Sequence, residues 1–99
     1  MENVLYVMLL EKTKIYKKIN KAAVIRHVDN IRNIDTAGKL ELCGVLKGYP
    51  GFAGMIILKA ESYEDAEKLC QREPFVVEGY ATYKLLTLQV GNRENNYLL

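Results

Sequence analysis

The chain contains a single histidine, His27, and this residue type makes it the first candidate for acid–base chemistry. An imidazole ordinarily titrates near neutral pH, so it can accept or donate a proton under physiological conditions. A neighbouring carboxylate could hold and tune such a ring. Asp35 lies two helical turns beyond His27, which is too far for direct contact between the side chains. Glu73 is therefore the better candidate for the partner acid.

Glu73 opens the sequence Glu73-Pro74-Phe75, which follows the second predicted helix. The chain has to turn back towards the sheet at this point. A carboxylate held by a proline-fixed turn loses less entropy on being positioned than one on a free loop. The alternative is that Glu73 is a solvent-exposed residue at a helix end. The residues alone leave both interpretations open.

The element that positions His27 is a helix predicted over residues 20–37. Asn20 is a typical N-cap residue, and Gly38 stands where a glycine commonly follows the last helical residue. The apolar residues of the segment recur at helical spacing: Val24, Val28, Ile31 and Ile34. His27 falls within this stripe, whereas Arg26 points to the other side. The ring is thus either a hydrogen-bonded core histidine or an acid–base group at the floor of a pocket.

Four segments with the apolar and β-branched character of strands surround two helices. The strands are predicted over residues 3–10, 40–46, 53–60 and 81–90. The second helix begins at the capping-box sequence Ser62-Tyr63-Glu64-Asp65, and Pro74 is predicted to stop it. With right-handed crossovers, this order predicts an α+β, ferredoxin-like βαββαβ fold. Its four-stranded antiparallel sheet carries both helices on one face.

The predicted strands are apolar on both of their sides. In the first strand, Tyr6 and Met8 alternate with Leu5, Val7 and Leu9. Two helices can cover only one face of such a sheet, and a solvated second face would show polar residues at alternate positions. The second face is therefore predicted to pack against an identical chain, forming a homodimer.

The length of 99 residues predicts a single domain, which covers residues 1–91. A polar tail, residues 92–99, follows the domain and is predicted to be mobile. Long apolar runs are absent, and Met1-Glu2-Asn3 lacks the basic region of a signal peptide. We therefore expect a cytoplasmic protein that does not enter membranes. Cys43 and Cys70 are interpreted as small core residues. Two distant cysteines and one histidine are too few ligands for a typical metal site, so no metal site is predicted. No cofactor is expected.

Charge is distributed unevenly although the net charge is only +2. Basic residues concentrate in the first third of the chain and acidic residues in a later stretch. Solvated helix faces are the favoured explanation, and a basic rim that attracts an anionic ligand is the alternative. We predict a small-molecule ligand, anionic in charge, with Arg26 or a nearby lysine as its anchor. Tyr6, Tyr80 and Tyr83 are candidates for lining its pocket, although strand packing would also explain each tyrosine.

Nucleic acid is not a predicted partner. RNA-binding members of the ferredoxin-like class stack bases on a basic and aromatic central strand, whereas the third strand here reads Met55-Ile56-Ile57-Leu58. Haem degradation occurs in relatives of the same dimeric fold, but one histidine does not identify a haem ligand.

The order of these motifs resembles the YciI-like (YCII-related) family from Val4 to about Val90. The matching features are His27, Gly38, Gly44, the Ser62–Ala66 helix start, Glu73-Pro74-Phe75 and Gly79. The resemblance implies a dimeric α+β barrel, related in fold to muconolactone isomerase, with an active site formed by His27 and Glu73. This sequence departs from the family pattern in having Glu73 where aspartate is usual, and Val45 where proline usually follows the glycine.

Two classes of function follow. The first is a cofactor-independent enzyme, a lyase or isomerase by resemblance, that uses His27 as general acid or base and Glu73 to orient it. It would catalyse elimination or isomerisation on small ring-derived acids or phenols. The second is a non-catalytic dimer that binds a small ligand or has a structural role.

Overall fold

The computed structural model describes residues 3–99, so Met1 and Glu2 of the predicted domain lie outside the described residues. The elements are, in chain order, β1 (Val4–Lys12), α1 (Lys21–Thr36), β2 (Leu40–Val45), β3 (Phe52–Leu58), α2 (Tyr63–Gln71), α3 (Pro74–Val77) and β4 (Ala81–Gln89). Short 3-10 turns occupy Tyr16–Lys18 and Asn96–Leu98. The strands form one antiparallel sheet in the order β2-β3-β1-β4. The predicted α+β, ferredoxin-like fold is confirmed.

Side-chain caps start both long helices where the sequence predicts them. The Asn20 side chain accepts a hydrogen bond from the backbone N–H of Ala23 at 2.8 Å, and the Ser62 hydroxyl accepts one from Asp65 at 3.1 Å. Gly38 follows the end of α1 with a φ of 75°, a conformation that favours glycine. None of the helices in residues 3–99 is long and apolar enough to cross a membrane.

The prediction that Pro74 stops the second helix is wrong in detail. Helix α2 already ends at Gln71, and Pro74 is the first residue of the short helix α3, which the sequence analysis lacks. Proline suits this position because the N–H group that it lacks would have no partner in the first helical turn. Glu73 consequently becomes the N-cap residue of α3.

The core lies between the helices and one face of the sheet. Burial alternates along β1, where Tyr6, Met8 and Leu10 are buried while the residues between them are only partly covered. The helices contribute small buried residues, Ala23 from α1 and Ala66 and Cys70 from α2. Burial raises the pKa of the Cys70 thiol to about 12.

The opposite face of the sheet is apolar and partly exposed, as the strand pattern predicts. It carries Leu5, Val7 and Leu9 of β1, Leu42 of β2, Met55 and Ile57 of β3, and Leu86 and Leu88 of β4. Leu42 is 58% exposed, Leu86 49% and Leu88 41%. We refer to this surface as the open sheet face.

Residues 92–99, the predicted tail, follow β4 as a hydrogen-bonded turn. The side chains of Asn92 and Asn95 each accept a hydrogen bond from the other's backbone N–H, at 3.1 and 2.9 Å. The Asn95 amide also donates to the carbonyl of Val90 at 2.8 Å.

Strands β2 and β3 approach each other closely at two glycines. A methyl group added at Gly54 would lie 2.8 Å from the backbone oxygen of Gly44, whereas one added at Gly44 would meet no atom within 4 Å. This contact shapes the edge of the sheet that faces α1.

The two glycines therefore give a matched pair of substitutions. We expect Gly54→Ala to lower the free energy of unfolding by about 1 to 3 kcal/mol, because backbone atoms must move to admit the methyl group. Gly44→Ala should change it by less than about 0.5 kcal/mol. Urea unfolding followed by circular dichroism measures both values, and equal losses in the two variants would contradict the packing described.

Candidate active site

The Glu73 carboxylate is the most deeply buried charged group in residues 3–99, with 1% of the residue exposed. Its Oε2 accepts hydrogen bonds from the backbone N–H groups of Phe75 at 2.8 Å and Val76 at 3.3 Å. These two donors are the first N–H groups of α3 that can reach the N-cap side chain. Glu73 is thus held by the helix that it caps.

His27 meets the other oxygen of this carboxylate. The ring Nδ1 is hydrogen-bonded to Oε1 of Glu73, across 46 positions of sequence. One face of the ring stacks on Phe75, with centroids 4.1 Å apart and planes 5° from parallel. The His27 side chain is 18% exposed, so the ring is turned inward as the helical projection predicts.

This geometry assigns different roles to the two ring nitrogens. A carboxylate can only accept, so Nδ1 carries the proton that is shared with Glu73. In the neutral ring Nε2 then keeps its lone pair. Among the described residues Nε2 has no hydrogen-bond partner, which leaves it available to a ligand.

The ring borders a cavity of about 520 Å³ between α1 and the β2–β3 edge of the sheet. Typical small-molecule sites have volumes of this size. Polar side chains in the lining are His27, Tyr16 and Cys43, and the remaining lining residues are apolar or glycine. No lysine, arginine, aspartate or glutamate within residues 3–99 lines the cavity. It therefore suits an uncharged, apolar group.

Three valines lie around the open side of this cavity: Val24 and Val28 of α1, and Val45 of β2. They are 42%, 37% and 74% exposed. The sequence places Val24 in a stripe that packs on the sheet, and this expectation is wrong because the cavity occupies that space.

Cys43 also differs from the prediction. It was interpreted as a core residue, but it is exposed and lines the cavity, whereas Cys70 is buried in the core as predicted. The edge position of β2 explains the exposure, since among the described residues Cys43 has a neighbouring strand on one side only.

Arg26 does not line the cavity. Its guanidinium donates two hydrogen bonds to the carboxylate of Glu78, at 2.9 and 2.6 Å. This hydrogen bonding raises the pKa of Arg26 and lowers the pKa of Glu78. The predicted ligand anchor is therefore placed in a surface ion pair beside α3.

The three predicted pocket tyrosines also lie elsewhere. Tyr6 is buried and packs edge-on against Tyr63, with centroids 6.3 Å apart. The Tyr83 hydroxyl donates to Glu67 at 3.2 Å, and burial followed by this bond raises the pKa of Tyr83. Tyr80 packs edge-on against Phe75. In the part of the chain described here, none of the three lines the cavity.

Tyr16, which the sequence analysis did not select, lines the cavity instead. Its ring packs edge-on against Phe75, with centroids 6.4 Å apart. The sequence contains a local indication that Tyr16 is covered, because Tyr16 and Ile19 are apolar residues in a segment rich in lysine. Apolar residues at such spacing indicate a buried side, here that of the turn leading into α1.

The cysteines provide a direct test of this arrangement. We expect a thiol reagent at about pH 8 to modify Cys43 alone in the folded protein, because Cys70 is buried and its pKa is raised to about 12. Unfolding in guanidinium should make both thiols react. Counting modified thiols by mass spectrometry measures the outcome. Cys43→Ser should abolish labelling of the folded protein and Cys70→Ser should not; rapid native labelling of Cys70 would contradict the placement.

Comparisons with known proteins support the fold. No protein-family model and no curated protein matches the chain. Among solved structures, a dehydrochlorinase from Burkholderia phenoliruptrix superposes with a TM-score of 0.70 at 13% sequence identity. The match covers 93% of this chain and 98% of that one. That enzyme acts on 5-chloro-2-hydroxyhydroquinone, and its structure is a complex with 2,5-dihydroxybenzoquinone. At this identity the likeness shows a shared fold.

Proposed function

We propose that the chain is a cofactor-independent small-molecule enzyme of the YciI-like type, in which His27 transfers a proton to or from a substrate. The observation that carries the proposal is the imidazole that borders the cavity and is held from behind by the buried Glu73 carboxylate. Paired in this way, a histidine has a fixed tautomer and a fixed ring orientation, as a general base requires.

In the proposed mechanism Nε2 of His27 removes a proton from a C–H or O–H group of the substrate. The imidazolium that forms is stabilised by the Glu73 carboxylate. The electron pair released in the substrate forms a double bond. In an elimination, a leaving group departs with its bonding electrons as the double bond forms. In an isomerisation, Nε2 of the imidazolium returns the proton to a different atom of the substrate.

The cavity supports a flat, ring-derived substrate such as a phenol. Its walls are almost wholly apolar, and Phe75 and Tyr16 present aromatic surface next to the imidazole. The similar fold of an enzyme whose structure holds a dihydroxybenzoquinone is in keeping with this class. Glutamate in place of the usual aspartate still reaches the ring, because Glu73 also caps α3.

Substitutions in the pair test the mechanism. On any hydroxy-aromatic or lactone that the wild type converts, we expect His27→Ala to lower kcat/KM by about 10²- to 10⁴-fold. Glu73→Gln should lower it by at least about tenfold, since the amide cannot stabilise the imidazolium by charge. Arg26→Gln is the control and should retain activity within about twofold, because Arg26 is paired with Glu78 outside the cavity.

Equal turnover by wild type and His27→Ala would refute the catalytic role. A wild type that binds such compounds without converting them, with an affinity that does not depend on His27, would instead identify a ligand-binding module. Circular dichroism of each variant separates loss of activity from loss of fold.

We also propose that the open sheet face packs against a second copy of the chain. Leu86 lies on this face in the edge strand β4, opposite Val7 in the β1–β4 register, and is 49% exposed. A face with this many apolar residues is typical of an interaction surface. An antiparallel sheet facing water would carry polar residues there.

Light scattering after size exclusion tests this proposal at micromolar concentration. We expect a dimer for the wild type and a monomer, or an unstable protein, for Leu86→Lys, because a lysine ammonium cannot be buried without a partner. Val77→Lys is the matched control: Val77 is 66% exposed on α3, away from the sheet, so this variant should stay dimeric. A monomeric wild type would end the proposal.

A further inference from the structure

A second recess adjoins the cavity, beyond the end of β1. It is open, has a volume of about 680 Å³, and is lined by Lys12, Thr13, Lys14, Tyr16, Lys17 and Gly51. Half of these residues are lysines, and no acidic residue in the described chain lines the recess. We call it the lysine recess.

The three lysine charges of the recess are not compensated by neighbouring acids. Within residues 3–99 no carboxylate lies within 4.0 Å of the ammonium groups of Lys12, Lys14 or Lys17. The nearest acid in sequence, Glu11, is directed to Lys84 at 3.9 Å. Clustered charges of one sign produce a positive potential in a concave surface, and this attracts anions.

Aromatic rings connect the lysine recess to His27. The ammonium group of Lys12 lies 5.1 Å from the centre of the Tyr16 ring. Tyr16 lines both the recess and the cavity, and it packs against Phe75, the ring on which His27 stacks. A ligand that extends past Tyr16 could therefore contact both sites.

The cavity itself is unsuited to an anionic group. Within residues 3–99 no cationic side chain lines it, and the Glu73 carboxylate lies behind its wall, bonded to His27. An anion placed there would lose its hydration and would be repelled by Glu73. A negatively charged substituent is accordingly favoured outside the cavity, where the lysines lie.

We infer that the substrate is amphipathic, with a flat apolar ring that enters the cavity and a carboxylate on a short linker that binds Lys12, Lys14 and Lys17. This inference rests on the proposed function for the position of the ring. Of the two anchors that the sequence suggests, Arg26 or a nearby lysine, it selects the lysines, because Glu78 already engages Arg26.

Matched acids and amides test the carboxylate subsite by binding alone. The probes are para-hydroxybenzoate, para-hydroxyphenylacetate and para-hydroxyphenylpropionate, each with its neutral amide, titrated by calorimetry. We expect the wild type to bind the best acid about tenfold more tightly than its amide, a preference that added salt reduces. In the triple variant Lys12→Gln/Lys14→Gln/Lys17→Gln the preference should fall to about twofold or less.

The control variant removes the same charge away from the lysine recess, at Lys39 and Lys59 next to the ends of β2 and β3 and at Lys68 of α2. Lys39→Gln/Lys59→Gln/Lys68→Gln should keep the acid preference of the wild type. Equal affinity for acids and amides, no binding of any acid at millimolar concentration, or a preference that survives in the triple variant would each overturn the inference.

These outcomes are separate from those that test the proposed function. Loss of acid preference in the triple variant supports the lysine recess even if His27→Ala leaves turnover unchanged. Conversely, a large effect of His27→Ala with no acid preference would retain the catalytic pair and reject the recess.

Discussion

The buried carboxylate of Glu73 is the constraint on which the rest of the site depends. An ionised group taken out of water is tolerated only when hydrogen bonds replace its hydration, and here three N–H groups do so. Two of them belong to α3, so the short helix and its cap position each other. The third is the imidazole of α1, which is thereby fixed relative to the turn after α2. One side chain thus joins the two halves of the fold at the end that carries the candidate site.

The cavity follows from how α1 rests on the sheet. Ala23 and Ile34 are buried, and Ile31 packs against the core, so the helix is anchored along that line. On the adjacent side of α1, Val24 and Val28 face the β2–β3 edge across the cavity. Glycines at positions 44 and 54 add no side-chain volume there. The helix α1 therefore has the packed core on one side and the open cavity on the other.

The sequence predicts the local features well, and of the long-range contacts it proposes the pairing of His27 with Glu73 but gives no indication of the pairing of Arg26 with Glu78. The caps at Asn20 and Ser62 and the inward direction of His27 depend on spacing within one helix, and these are confirmed. Glu78, the partner of Arg26, lies 52 positions away and leaves no trace in the local pattern, so the sequence does not show that Arg26 lies outside the cavity lining. The exposure of Cys43 depends on strand order, which only the folded sheet determines.

The absence of charged side chains from the cavity lining, within the described residues, bears directly on the proposed chemistry. In a weakly polar space the attraction between an imidazolium and a carboxylate is stronger than in water. In the proposed mechanism, proton transfer to His27 creates that pair at the wall of the cavity. A lysine in the cavity would pair with the Glu73 carboxylate and weaken the attraction between that carboxylate and the imidazolium. In the proposed arrangement the lysines lie beyond Tyr16, where they would attract an acidic substrate without competing for the Glu73 carboxylate.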